Sequence, residues 1–150
     1  MKNIFTLFLI LFSGYAFPDA KLSGIWNCKM TLEEAPDGMQ ATSLLTIRIQ
    51  AAEYERNGDF KYYFKELGGF NIHKTTYEKG SIRFEKGSLT FSPLEVDSKV
   101  LESGPLPKST FSDDNESLLA DETAKITKIS SDSFTAEYPN GSVESCKKRS

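Results

Sequence analysis

Along most of the chain, apolar and polar residues alternate with a period of two. In the first such segment, Trp26, Cys28 and Met30 share one face, while the residues between them are polar. This alternation is typical of a β-strand that buries one face. After position 23 the apolar residues do not follow the helical period, so the sequence predicts an all-β domain.

Glycine, proline, asparagine and aspartate divide this alternation into short segments, which we interpret as strands joined by tight turns. The expected strands cover about 24–32, 41–50, 59–66, 70–77, 81–85, 88–91, 122–129, 133–138 and 142–147. A weaker alternation continues over 94–100. The pair Asn57-Gly58 predicts a hairpin turn, and Lys86-Gly87 predicts a compact hairpin between the strands at 81–85 and 88–91. Lys79-Gly80 leads into the strand at 81–85 and separates it from the strand at 70–77.

Residues 102–121 interrupt the alternation. The segment is rich in proline, glycine, serine and acidic residues, and we expect one long loop. Loops of this length in compact domains are commonly either functional or mobile, and both alternatives stay open. Apolar residues within this polar stretch are Leu106, Phe111, Leu118 and Leu119. They make the loop a candidate contact surface for another protein.

Sequential strands joined by tight turns favour an antiparallel up-and-down meander of about eight strands. Such a meander either closes into a barrel or folds into a β-sandwich. Cys28 and Cys146 fall on the first and last strands, which are neighbours in an up-and-down barrel. A disulfide between them would fasten the closing seam. Because only closure removes both sheet edges, we favour the barrel and keep the sandwich as the alternative.

The first 16 residues have the organisation of a secretory signal peptide. Lys2 gives a basic start, residues 4–12 form an apolar core, and the small residues Gly14 and Ala16 precede the expected cleavage after Ala16. This core is shorter than the roughly 20 residues of a membrane-spanning helix. We therefore expect a periplasmic or secreted protein with no stable membrane span, whose mature part, 17–150, is one barrel domain. Export also favours pairing of the two cysteines.

The composition argues against several function classes. The chain has 18 basic and 21 acidic residues, a formal net charge of −3, which disfavours nucleic-acid binding. One histidine, His73, and two cysteines offer no spacing suited to a metal site, and no serine lies in a nucleophile motif. The glycines do not form a phosphate-binding loop. We expect a monomer that is not an enzyme and uses no metal or cofactor.

The segment 22–28, which contains Gly24 and Trp26, resembles the glycine-x-tryptophan opening of lipocalins and related barrels. Segments 80–84 and 87–91 are similar to those of small exported bacterial lipocalin-like proteins. The resemblance implies a lipocalin-like barrel in which the first-strand tryptophan closes one end. The chain departs from typical lipocalins in lacking a Thr-Asp-Tyr-type motif in its middle.

Inward-facing aromatic and apolar side chains of the expected barrel are the candidate ligand-binding residues. They are Trp26, Met30, Phe60, Tyr62, Phe64, Phe84, Phe91 and Tyr138. These side chains either line a cavity for a small apolar or amphipathic ligand or fill the interior, since eight-stranded barrels do both. We therefore expect a non-enzymatic exported binding protein. The alternative is an envelope protein-binding module, of inhibitor or immunity type, that uses the loop 102–121.

Lys61, Tyr63 and Lys65 form a basic, aromatic stripe on the outer face of the third expected strand. Such a stripe either contacts an anionic partner or is a solvated face whose lysines prevent edge pairing. The sequence leaves both interpretations open.

Overall fold

The computed structural model describes residues 22–32, 38–66, 68–111 and 117–150. Within them the chain forms eight antiparallel strands that close into a barrel in sequence order. The strands are β1 (Gly24–Leu32), β2 (Met39–Gln50), β3 (Glu53–Phe64), β4 (Phe70–Glu85), β5 (Ser88–Glu102), β6 (Glu122–Ile129), β7 (Ser133–Glu137) and β8 (Val143–Lys148). The predicted all-β meander and its closure are confirmed. The predicted signal peptide, 1–16, lies outside the described residues.

Pairing between the first and last strands closes the ring. Cys28 lies directly opposite Cys146 across β1 and β8, and a disulfide joins them, as predicted. On its other side, β1 pairs with β2 over its whole length. Because β1 has a partner on each side, the two ends of the meander do not leave the unpaired edges of an open sheet.

The two ends of the barrel differ. At one end, which we call the closed end, tight turns join β2 to β3, β4 to β5 and β6 to β7. Trp26 is fully buried there, donates a hydrogen bond from Nε1 to the Leu22 carbonyl oxygen at 2.8 Å, and packs edge-on against Phe134. At the opposite end, which we call the mouth, β1, β3, β5 and β7 finish and the long loop begins.

Asn57-Gly58 lies inside β3, so the hairpin turn predicted at this pair is wrong. β2 and β3 are instead joined by Ala51 and Ala52, and Ala51 takes a positive φ of 53°. Gly58 serves packing, because a Cβ atom at this position would overlap the ring of Phe60. The glycine therefore marks a crowded contact in the interior and not a reversal of the chain.

The hairpin predicted at Lys86-Gly87 is confirmed, because these two residues join β4 to β5. Lys79-Gly80 lies inside β4, so the break predicted there is wrong, and the two strands expected around it are one. A bulge at this point brings Gly80 opposite Pro93 of β5. A side chain at Gly80 would overlap the backbone carbonyl group of Ser92, and only glycine lets the two strands approach this closely.

The connection from β5 to β6 is the predicted long loop, and it contains two short 3-10 helices, Lys108–Phe111 and Ser117–Leu119. β5 extends far past β6 toward the mouth, because the two strands pair only between Ser88–Phe91 and Glu122–Lys125. Both 3-10 helices contact β5. Among the described residues, no helix combines the length and apolar character that crossing a bilayer requires.

Removal of the disulfide tests how much the barrel depends on its seam. In the variant Cys28→Ser/Cys146→Ser, we expect the free energy of unfolding to fall by about 4 kcal/mol, because the bond closes a loop of 118 residues in the unfolded chain. Urea denaturation followed by circular dichroism measures this loss. Ser145→Ala, at an exposed neighbouring position, is the control and should change little. A loss below about 1 kcal/mol would contradict the role of the seam.

Candidate functional site

The inner face of β3 changes character along its length. Its inward positions toward the closed end are Tyr54 and Arg56, both buried, and its positions toward the mouth are the half-buried Phe60, Tyr62 and Phe64. Successive inward residues of a strand are two positions apart, so polar and aromatic groups follow each other on one wall. This wall organises the candidate site.

Arg56 lies inside the barrel and binds two carboxylates. Its Nη2 atom is 2.7 Å from Oε2 of Glu78 on β4 and 2.8 Å from Oε2 of Glu122 on β6. The Tyr54 hydroxyl donates a hydrogen bond to Oε1 of Glu78, and the Arg56 guanidinium lies over the ring of Phe91 at 4.9 Å from its centroid. Side chains from four strands thus meet at one buried guanidinium.

The surroundings of this cluster set its charge state. Burial alone disfavours the charged guanidinium, but the carboxylates of Glu122 and Glu78 outweigh it and raise the pKa of Arg56 above its ordinary value. Burial, followed by the hydrogen bond to Glu78, raises the pKa of Tyr54. Both pKa shifts favour a neutral, hydrogen-bond-donating Tyr54 and a charged Arg56.

A second buried carboxyl group lies next to the disulfide. Glu144 on β8 is 1% exposed, and its Oε2 accepts a hydrogen bond from the Tyr138 hydroxyl at 2.5 Å. Its Oε1 lies 3.3 Å from Sγ of Cys146. Burial raises the pKa of Glu144, although the Tyr138 hydrogen bond opposes the shift. Burial and Glu144 together raise the pKa of Tyr138 as well.

The side-chain ligand atoms of Cys28, Glu144 and Cys146 lie within 4.8 Å of one another, which is close enough to hold a metal ion. Both sulfur atoms are bonded to each other, however, and thiolate is the form of cysteine that binds metals. The arrangement is therefore a disulfide beside a buried carboxyl group and not a metal centre.

A pocket of about 570 Å³ lies against the Arg56 cluster, and its lining includes residues of the long loop and of the β7–β8 connection. It lies where β5 and β6 separate, just beyond the pair Phe91 and Glu122. Its polar wall is formed by Arg56, Glu78, Asp121, Glu122, Tyr138 and Asn140, and its apolar wall by Pro93, Leu118, Ala120 and Pro139. Three carboxylates face one guanidinium, so the pocket carries a negative charge.

The eight residues predicted from the sequence fall into three groups. Trp26 and Phe91 are fully buried in the core, and Met30, Phe60 and Phe84 are partly buried against it. Tyr62 and Phe64 are half-buried near the mouth. Of the eight, Tyr138 is the one that lines the pocket at Arg56. The structure thus brings the β3 aromatic residues to the same end of the barrel as the pocket, but does not gather all eight around one space.

Ser43 adds a polar group beside the β3 aromatic residues. It is 4% exposed and pairs with Met30 on one side and Phe60 on the other, on the inner face. Its hydroxyl is buried and has no hydrogen-bond partner among the described residues. A buried hydroxyl group in this state is costly, so it offers a donor and an acceptor to a molecule lying against Phe60.

The charged residues Arg56, Glu78, Glu122 and Glu144 are not among the site residues predicted from the sequence. The turn predicted at Asn57-Gly58 includes Arg56, and Glu78 falls between two expected strands. The alternation at Tyr54, Arg56, Gly58 and Phe60 is unbroken across the asparagine-glycine pair, and this signal places Arg56 inside.

Compared with known proteins, the chain matches no family model, and no curated protein matches its sequence. The chemistry of the pocket itself therefore carries the functional argument.

Removal of the buried guanidinium tests the energetics of the cluster. We expect Arg56→Met to lower the free energy of unfolding by about 3–5 kcal/mol, because the Glu78 carboxylate is left buried without its counter-charge. The double variant Arg56→Met/Glu78→Gln should lose less than the single variant. Urea denaturation measures both, with Arg48→Met on the exposed face of β2 as the matched control. Equal losses for Arg56→Met and Arg48→Met would show that the cluster contributes nothing to stability.

Glu144 predicts a pH dependence of stability. Because its pKa is raised by burial, the folded protein holds a proton at pH values where the unfolded chain has lost it. The contribution of Glu144 is therefore fully present below the ordinary glutamate pKa and is lost as the pH rises through the raised pKa. In Glu144→Gln we expect the free energy of unfolding to show no such decrease as the pH rises above the ordinary glutamate pKa. Urea denaturation of the variant and of the natural protein at several pH values measures the difference. Glu137→Gln, an exposed neighbour, should keep it, and an unchanged pH profile in Glu144→Gln would rule the effect out.

Proposed function

We propose that this protein is an exported, non-enzymatic barrel of lipocalin-like type that binds a small amphipathic molecule at its mouth. The observation that carries the proposal is the pocket of about 570 Å³ that adjoins the buried ion cluster of Arg56, Glu78 and Glu122. Pockets with apolar walls and a few converging polar groups are the usual form of small-molecule sites. The disulfide between Cys28 and Cys146 supports export, because such bonds persist in oxidising compartments.

The order of groups along β3 supports one orientation of the ligand. Arg56 and Phe60 are four residues apart, a distance of about 13 Å along a strand. We therefore propose that a short molecule whose polar end reaches Arg56 extends its apolar part toward Phe60 and Tyr62, which lie nearer the mouth and outside the lining of the pocket. The free hydroxyl of Ser43 lies beside this apolar part and accommodates a further polar atom of the ligand. The ligand thus enters polar end first.

The charge of the pocket supports a cationic or hydrogen-bond-donating polar end. Glu78, Asp121 and Glu122 outnumber the single guanidinium of Arg56. Glu122 is the most accessible member of the buried cluster, with 40% of its side chain exposed against 11% for Arg56. An amine of the ligand would meet the Glu122 carboxylate first, whereas an anionic end would be repelled.

A binding role fits the bonding within the cluster better than an enzymatic one. The carboxylate of Glu78 is held by both Arg56 and Tyr54, and that of Glu144 accepts from Tyr138. His73, the single histidine, forms a hydrogen bond between its Nε2 and Oδ2 of Asp59 at 2.9 Å. It does not line the pocket. Carboxyl groups that are hydrogen-bonded in this way hold their charge at fixed positions, as a binding site requires.

Binding of matched eight-carbon amphiphiles tests the proposal. We expect octylamine to bind at least about tenfold more tightly than octanoic acid in isothermal titration calorimetry, with octanol in between, because the pocket is negative. In Glu122→Gln the preference for the amine should shrink by about tenfold, and in Phe60→Ala all three amphiphiles should bind more weakly.

Glu137→Gln, exposed on the outer face of β7, is the charge-matched control and should bind like the natural protein. Failure of all three amphiphiles to bind would overturn the proposed function. Tighter binding of octanoic acid would overturn the assigned polarity.

A second candidate function is an envelope protein-binding module that uses the long loop. Leu106 and Leu119 are exposed large apolar side chains in this loop, at 41% and 43%. Recovery of a specific partner from periplasmic extract, and its loss in Leu106→Ser/Leu119→Ser, would favour this function. Equal recovery by both forms would exclude it.

A further inference from the structure

We propose that the outer wall around Leu44 is a second binding surface, which takes an extended acidic polypeptide segment carrying an apolar side chain. The surface comprises the outward residues of β1, β2 and β8 near the seam, together with the neighbouring residues of β3 and β7. It goes beyond the proposed function, because successive residues of a strand point to opposite faces and this surface is separated from the mouth by the barrel wall.

The apolar centre of this surface is Leu44. Its side chain is 65% exposed in the middle of β2, where it lies opposite Lys29 of β1 and Asp59 of β3. Two adjoining recesses, of about 590 Å³ and 290 Å³, are both lined by Leu44 and Lys29. A strongly exposed leucine between two recesses offers an apolar contact to a molecule that crosses the strands.

The charges around Leu44 are opposite in sign to that of the chain. Lys29 and Lys147 line the larger recess, and Lys29 and Lys61 line the smaller one. Asp59 is the one acidic side chain among the residues that line them, and its carboxylate is bonded to His73. The whole chain carries a formal charge of −3. A local excess of lysine on an acidic protein orients an anionic partner toward this wall.

The shape of the surface favours a polypeptide over a lipid membrane. The lining of the larger recess includes Ser133, Thr135 and Ser145 together with Phe134 and the two cysteines of the disulfide. Leu44 and Lys29 line this recess and the smaller one, so two recesses lie side by side along the wall. An extended chain that places alternate side chains in neighbouring pockets fits this arrangement better than the planar surface of a membrane.

The basic stripe predicted from the sequence contributes at its border. Lys61 lines the smaller recess, and Tyr63, which is 37% exposed, continues the outer face of β3 toward the mouth. Lys65 lies in the turn that follows β3. Part of this stripe thus adjoins Leu44, Lys29 and the two recesses. This position supports the interpretation of the stripe as a contact for an anionic partner.

Fluorescence polarisation with short labelled peptides tests this surface on the full chain. We expect a peptide of alternating glutamate and leucine to bind, and to weaken by about tenfold when the NaCl concentration rises from about 50 to about 500 mM. Peptides of lysine-leucine and glutamate-serine should bind at least about tenfold more weakly, because the first lacks the charge and the second the apolar contact.

Variants locate the site. Lys29→Glu/Lys147→Glu should weaken the glutamate-leucine peptide by at least about tenfold, and Leu44→Ser by a few-fold. Lys99→Glu/Lys108→Glu makes the same charge change at exposed positions away from the surface and should leave binding unchanged. Circular dichroism melting checks that each variant remains folded.

Three results would overturn the proposal. The first is equal weakening by the two double variants, which would indicate non-specific charge attraction. The second is binding to phosphatidylglycerol vesicles that depends on Leu44 while the peptide does not bind, which would assign the surface to lipid. The third is a Leu44-dependent dimer in analytical ultracentrifugation, which would assign it to a second copy of the chain.

Discussion

Pairing of β1 with β8 is the constraint on which the rest of the structure depends. Once the ring is closed, the inward side chains of the strands are enclosed. Their polar and charged groups then need hydrogen-bond or ion-pair partners on another strand. Arg56 is acceptable inside only because Glu78 and Glu122, from strands on different parts of the ring, reach the same nitrogen atom. The buried cluster and the pocket above it are thus consequences of closure.

The architecture was largely predictable from the sequence because it rests on local pattern. The two-residue alternation predicts the strands. The positions of Cys28 and Cys146 predict that the sheet closes, because the first and last strands are neighbours in an up-and-down barrel. The errors arose where a residue served a long-range contact. The pattern predicts a turn at Gly58 and a break between strands at Gly80, but their lack of a side chain makes room for Phe60 and for the backbone of β5.

The candidate site was predictable only in part, and for a related reason. The aromatic residues of β3 follow from alternation, and the structure places them at the mouth. The ion cluster combines residues from β3, β4 and β6 that are far apart in sequence, and a buried charge is recognisable only when its counter-charge is known. A charged residue at an inward position is the available signal, and Arg56 shows it once β3 is extended through Asn57-Gly58.

The short contact between β5 and β6 has a consequence for how the barrel moves. Only the four residues Ser88–Phe91 hold these two strands together, whereas β1 is bonded along its length and covalently to β8. If the barrel opens locally, β5 and β6 separate before β1 separates from its neighbours. The ring then becomes a curved sheet in which the disulfide still joins β1 to β8. The amide protons of Leu89 and Ala124 then exchange with solvent earlier than those between β1 and β2, and the separated strands expose Arg56 to a molecule too wide for the mouth.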